Sequence, residues 1–246
     1  HYTMGRYWEL DACRGVAILL MIGYHVLFQI SFFDPALLPW FDPYVFTGAP
    51  IAFLFVTIAG ISLILFTAKE ASLPKTAQKM FVRGVYILFF AAVITIASWL
   101  LFPSEVVVFG ILHLIGCSTI LAIPFVVLKI RGWIVFGFGV IIIALSPFLA
   151  YVRGPALLIP LGITPVGFAT LDYEPLIPWF GVLLIGVALG SVLYRGGVRC
   201  KVLEKLGEMP KVASPLAFLG RHSLLIYLIH NPIIFAVLWI AGVIPW

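Results

Sequence analysis

Apolar runs of about 18 residues or more recur along this chain, and each is long enough to cross hydrocarbon as a helix. They fall at roughly 15–33, 49–68, 84–102, 106–128, 133–151, 175–194 and 221–243. None alternates polar with apolar residues, so barrel strands are excluded. Hydrophobic residues make up 63% of the chain and charged residues 10%, against about half and a quarter in a soluble domain. The sequence therefore predicts an all-α, polytopic integral membrane helical bundle with about seven transmembrane helices.

Lys and Arg set the orientation. With the N-terminus in the cytoplasm, fourteen of the fifteen basic residues fall inside and only Arg153 falls outside, while the ten acidic residues split evenly. That is the pattern of a rule that reads Lys and Arg alone. It also accounts for a pI near 9.2 without any nucleic-acid partner; the expected surroundings are a lipid bilayer, here the plasma membrane. Cys13, Cys117 and Cys200 are odd in number and form no CxxC pair, so no disulfide framework is expected. Residues 1–246 are read as one domain without internal repeats. Pairing with a second copy, as a homodimer, is left open. His1, Tyr2 and Thr3, ahead of Met4, are set aside as a leftover of expression.

Ionisable residues inside such helices are costly and mark function by default. The segment Glu9-Leu-Asp-Ala-Cys-Arg-Gly runs straight into the first span, with Arg14 at its cytoplasmic mouth and His25 inside it. Eleven residues separate them, which on a helix brings both to one face about 16 Å apart. His230 lies at a similar height above Arg221, and His113 descends about 10 Å from the outside. These three histidines are the candidates for direct chemistry, because a near-neutral imidazole is the usual proton acceptor. The plainer alternative for each is a hydrogen bond to a neighbouring helix. A metal site is disfavoured, since there is no HxxxH spacing and no close acidic ligand. At the outer rim, Asp172 lies in the acidic and aromatic run Leu171-Asp-Tyr-Glu-Pro-Leu-Ile-Pro-Trp179 and is placed to orient a polar acceptor, or is a plain loop carboxylate. The segment 152–172, with three prolines, is expected to form a lid or a re-entrant piece. In the sixth span Gly181, Gly186 and Gly190 suggest close helix crossings.

Four segments together resemble a known family: Trp8-Glu-Leu-Asp-Ala-Cys-Arg-Gly with His25; Phe109-Gly-Ile-Leu-His-Leu-Ile-Gly116; Asp172-Tyr-Glu-Pro-Leu-Ile-Pro-Trp-Phe-Gly181; and Gly220-Arg-His-Ser-Leu-Leu-Ile-Tyr-Leu-Ile-His-Asn-Pro232. In that order they are similar to the prokaryotic branch of the heparan-α-glucosaminide N-acetyltransferase family. The resemblance implies an acyltransferase that takes acetyl-CoA from the cytoplasm and acetylates an amine or hydroxyl, sugar-like by analogy, on the far side. The lysosomal animal enzymes of that family have more spans and a further luminal domain, so their glycosaminoglycan is not carried over.

The residues suit that chemistry. CoA has phosphates at one end and a thioester at the end of a long arm, matching Arg14 below His25. Lys79, Arg83, Arg199 and Arg221, with Lys75 and Arg195, are further candidates for phosphate contacts. Tyr227 and Asn231 are candidates for holding the substrate or a developing oxyanion. A proton-coupled transporter using midplane histidines is the alternative function, although it would be expected to carry an inverted repeat. A retinal protein is excluded, because the last span has no Lys.

Overall fold

The computed structural model describes residues 7–43, 45–101, 103–104 and 106–244. The leading residues 1–3 and the expected end of the third span at 102 lie outside them. Six helices are long and apolar enough to cross a membrane: α1 (Trp8–Phe33), α2 (Ala49–Thr67), α3 (Leu73–Leu101), α6 (Gly132–Leu149), α7 (Leu176–Leu193) and α10 (Ser223–Ile240). The shorter helices are α4 (Ile111–Leu121), α5 (Ile123–Val127), α8 (Lys201–Glu204) and α9 (Ser214–Arg221). No strand forms among the described residues, where only isolated backbone bridges occur. The chain is thus an all-α, multi-pass membrane protein.

Three expected spans take a different form, the first because its helix already begins at Trp8 rather than near residue 15. The fourth, 106–128, is not one continuous helix. It is divided into α4 and α5 at Ala122, two residues before Pro124, whose ring cannot continue a regular helical ladder. The third begins earlier than expected, because the basic stretch before residue 84 is already helical. At 29 residues, α3 is about 43 Å long, more than the roughly 30 Å hydrocarbon core. Its first turns, with Lys75 and Lys79, are therefore long enough to extend beyond the apolar layer.

The chain divides into two compact units, residues 1–55 with 208–246, and residues 56–207, the boundary falling within α2. In the first unit α1 packs along α9 and α10. The α1–α9 crossing is made backbone to backbone: a Cβ on Gly15 would overlap the Leu216 carbonyl, and one on Gly220 would overlap the Asp11 carbonyl. Only glycine permits that approach, the usual device where lipid removes the hydrophobic drive for helix association. Toward the other end of α1, Ile234, Leu238 and Ile244 are buried against Ile22, Val26, Ile30 and Phe33.

In the second unit α7 is the central helix. Gly181 meets Gly139 of α6, while Gly186 and Gly190 meet Gly60 and Ile61 of α2. One helix thus uses glycines on two sides for two close crossings. The segment 152–172 is tied to the helices around it. Its 3-10 turn Ala156–Leu161 buries Ile159, and the Tyr173 hydroxyl donates to the Ile159 carbonyl at 2.7 Å.

Candidate functional site

In the first unit, His25 of α1 and His230 of α10 are in ring contact, with centroids 4.8 Å apart and planes at 76°. Both rings are oriented by their own helices. His25 Nδ1 lies 2.8 Å from the Met21 carbonyl oxygen, and His230 Nδ1 lies 2.6 Å from that of Tyr227. A carbonyl oxygen can only accept, so each Nδ1 carries a proton, and Nε2 is the basic nitrogen of each ring. His230 is 5% exposed, and its Nε2 is buried with no hydrogen-bond partner among the described residues. Tyr24 packs edge-on against His25, and Tyr227 stacks at a tilt on His230. One turn beyond His25, Gln29 Nε2 donates to Asn231 Oδ1 at 3.1 Å.

The N-terminal part of α1 and the C-terminal end of α9 hold Arg14 and Arg221, the chain neighbours of Gly15 and Gly220 that make the α1–α9 crossing. Arg14 Nη1 donates to Asp11 Oδ1 at 2.8 Å, and Asp11 is only 1% exposed. The buried carboxylate fixes the guanidinium at the mouth of the helix and offsets part of its charge. Arg221 is exposed at the end of α9.

His113 belongs to the second unit and is used differently. Its Nδ1 accepts the Gly110 N–H at 3.3 Å, and its Nε2 lies 3.2 Å from the Thr95 hydroxyl. That hydroxyl donates to the Val107 carbonyl at 2.7 Å, so toward the imidazole it can only accept. His113 is thus held as the Nε2–H tautomer with both nitrogens engaged, closing the first turn of α4 like half of a capping box. Asp172 serves the same helix end, since its Oδ2 accepts the Ile111 N–H at 3.1 Å. A carboxylate is favoured at a helix N-terminus, and a Cβ on Gly110 would collide with it.

Glu174, which the sequence reading did not single out, lies two residues on from Asp172. Burial, and next the Asp172 charge, push its carboxyl up to about 8, against a smaller opposing effect of the hydrogen bond with Trp179. It is therefore largely protonated at neutral pH. Gln29 was missed as well. The signal for it was positional, four residues beyond His25 on the same helix face.

The remaining basic candidates are in the second unit. Lys79 Nζ pairs with Glu70 at 2.9 Å, which holds the Glu70 carboxyl below its usual range. The Arg83 guanidinium lies 4.8 Å above the Phe66 ring. Both line an open groove of about 460 Å³ with Gln78, Val82 and Tyr86. Arg199 donates to the Gly207 carbonyl at 2.9 Å and so ties the loop around α8. Lys75 and Arg195 are exposed.

No curated protein and no solved structure matches the chain. One family profile does: the family described as heparan-alpha-glucosaminide N-acetyltransferase, catalytic, matches residues 6–232. That match covers α1 to α9 and continues into α10 as far as Pro232, so it contains both histidines of the pair, His113 and Asp172. With its membrane-spanning helices, the chain is a transmembrane acyltransferase that belongs to the heparan-alpha-glucosaminide N-acetyltransferase catalytic family.

Proposed function

We propose that this protein transfers the acetyl group of cytoplasmic acetyl-CoA to an amine or hydroxyl of a sugar-like acceptor at the outer face of the plasma membrane, with His25 as general base. The observation that carries the reading is the His25–His230 pair, two imidazoles whose Nδ1 protons are anchored on carbonyls so that both basic nitrogens are Nε2. A base that must take a proton from an attacking N–H or O–H needs such a fixed lone pair.

The donor set fits an acyl-CoA. Two guanidiniums at the cytoplasmic end of the unit suit phosphate, and His25 lies about 16 Å above Arg14, the reach of a long flexible arm. Asp11 supports this use of Arg14 by fixing its guanidinium. Arg14 and Arg221 are the preferred phosphate contacts because they belong to the unit that holds the histidine pair, whereas Lys79, Arg83 and Arg199 belong to the other unit.

The thioester supplies an activated acyl carbon. His25 Nε2 takes the proton of the attacking amine or hydroxyl as the new C–N or C–O bond forms. The C–S bond breaks and its electron pair leaves with the thiolate. His230 lies against His25 and orients the reacting groups, with Tyr227 and Asn231 beside it. His113 and Asp172 hold the outer end of α4 in the second unit. The direct test is release of free CoA and appearance of an acetylated amine when purified protein in liposomes is given acetyl-CoA and an acceptor. Absence of both products, with the protein folded and acetyl-CoA bound, overturns the reading.

A further inference from the structure

Beside the histidine pair, two buried hydrogen-bond acceptors have no donor among the described residues. One is His230 Nε2 and the other is Gln29 Oε1. Buried polar atoms are nearly always hydrogen-bonded, so two unsatisfied acceptors of one kind mark a place that receives donors. The Gln29 carboxamide is oriented by its bond to Asn231 Oδ1, which uses its N–H side and turns Oε1 away from that partner. Asn231 follows His230 directly in α10, and Gln29 follows His25 by one turn, about 6 Å along α1. On the orientation read from Lys and Arg, that turn lies on the outward side of the pair, where an acceptor from outside arrives.

We infer that Gln29 is a specificity-determining residue of the acceptor site, its Oε1 accepting a hydrogen bond from a second N–H or O–H group next to the one that is acetylated. The inference rests on the acetyl transfer proposed above. An imidazole lone pair and an amide oxygen can bind only donors. When His25 takes the proton of the attacking group, His230 Nε2 holds a remaining proton of that group or of its neighbour, and Gln29 Oε1 holds the next. An acceptor with a single donor group leaves Gln29 Oε1 buried without a partner, and a site built around such an atom discriminates against it.

The test compares trans-2-aminocyclohexanol with cyclohexylamine, which lacks the neighbouring hydroxyl. With wild-type protein the aminoalcohol should have a kcat/KM higher by about tenfold, the value of one hydrogen bond of ordinary strength, and the difference should lie mainly in KM. In Gln29→Leu and Gln29→Met the ratio should fall to within about twofold of one. Equal use of the two amines by wild type, or an unchanged ratio in a folded variant, overturns the inference. If neither amine is acetylated, the reading of the function has failed instead. Equilibrium binding of the same two amines then decides on Gln29, and equal affinity in wild type refutes its role.

Discussion

Replacing Glu174 by Gln should remove a pH dependence of stability that wild type shows. The Glu174 carboxyl is raised from an ordinary value near 4.5 to about 8, first by burial and then by Asp172. Between those values the folded chain keeps a proton that the unfolded chain has lost. Stability therefore falls as pH rises through this window, by about 1.4 kcal/mol per pH unit, and levels off above about pH 8. From pH 5.5 to 7.5 the loss is roughly 3 kcal/mol. For a chain of this size 1 kcal/mol moves Tm by about 2–4 °C. Glu174→Gln keeps an oxygen for the Trp179 N–H but carries no titrating group. In thermal unfolding of detergent-solubilised protein, the variant's Tm should gain about 5–10 °C on wild type between pH 5.5 and 7.5. Parallel Tm profiles for the two proteins would show that the carboxyl is not held in its protonated form, and would refute the reasoning.

Three further outcomes follow from the geometry. His113→Ala removes the acceptor of the Gly110 N–H and the partner of Thr95, so it should cost about 1–2 kcal/mol of stability; the acetylation rate per folded molecule should stay within a few-fold, as measured on the Tm-verified fraction. Arg14→Ala should weaken CoA binding, and raised salt should weaken it in wild type too, where the site is partly exposed to ions; isothermal titration at two salt concentrations checks both. Gly220→Val cannot be accommodated where a Cβ already meets the Asp11 carbonyl, so it should lower the yield of folded protein, with a cost of about 1–3 kcal/mol or more, seen as loss of the monodisperse peak in size-exclusion chromatography.

Most of the helical framework was legible because lipid imposes a length and a composition on every crossing. The bounds of α2, α6 and α7 follow the apolar runs within about two residues, and the glycines of α7 mark its crossings. Period and hydropathy do not report a break inside an apolar run. The division of 106–128 therefore depended on Pro124, whose effect on a helix is local. The early start of α3 was hidden because a helix that leaves the hydrocarbon becomes basic and reads as a loop.

At the site, helix rise was enough to set His25 and His230 at matching heights, but whether their rings meet depends on how α1 and α10 pack. His113 was read for its depth alone. Its partners Gly110 and Thr95 are brought to it by the turn before α4 and by the packing of α3, and Asp172, which holds the Ile111 N–H, comes from a loop some sixty residues further on. Glu174 went unnoticed because its burial, unlike its type, is a tertiary property.

The central claim, that His25 is the base, is tested most directly by acetyl transfer from acetyl-CoA in His25→Ala. The variant should fold, bind CoA with wild-type affinity and transfer acetyl about 10²–10⁴ times more slowly. Near-full turnover in His25→Ala, with His113→Ala inactive though folded, would contradict it and assign the proton transfer to the second unit.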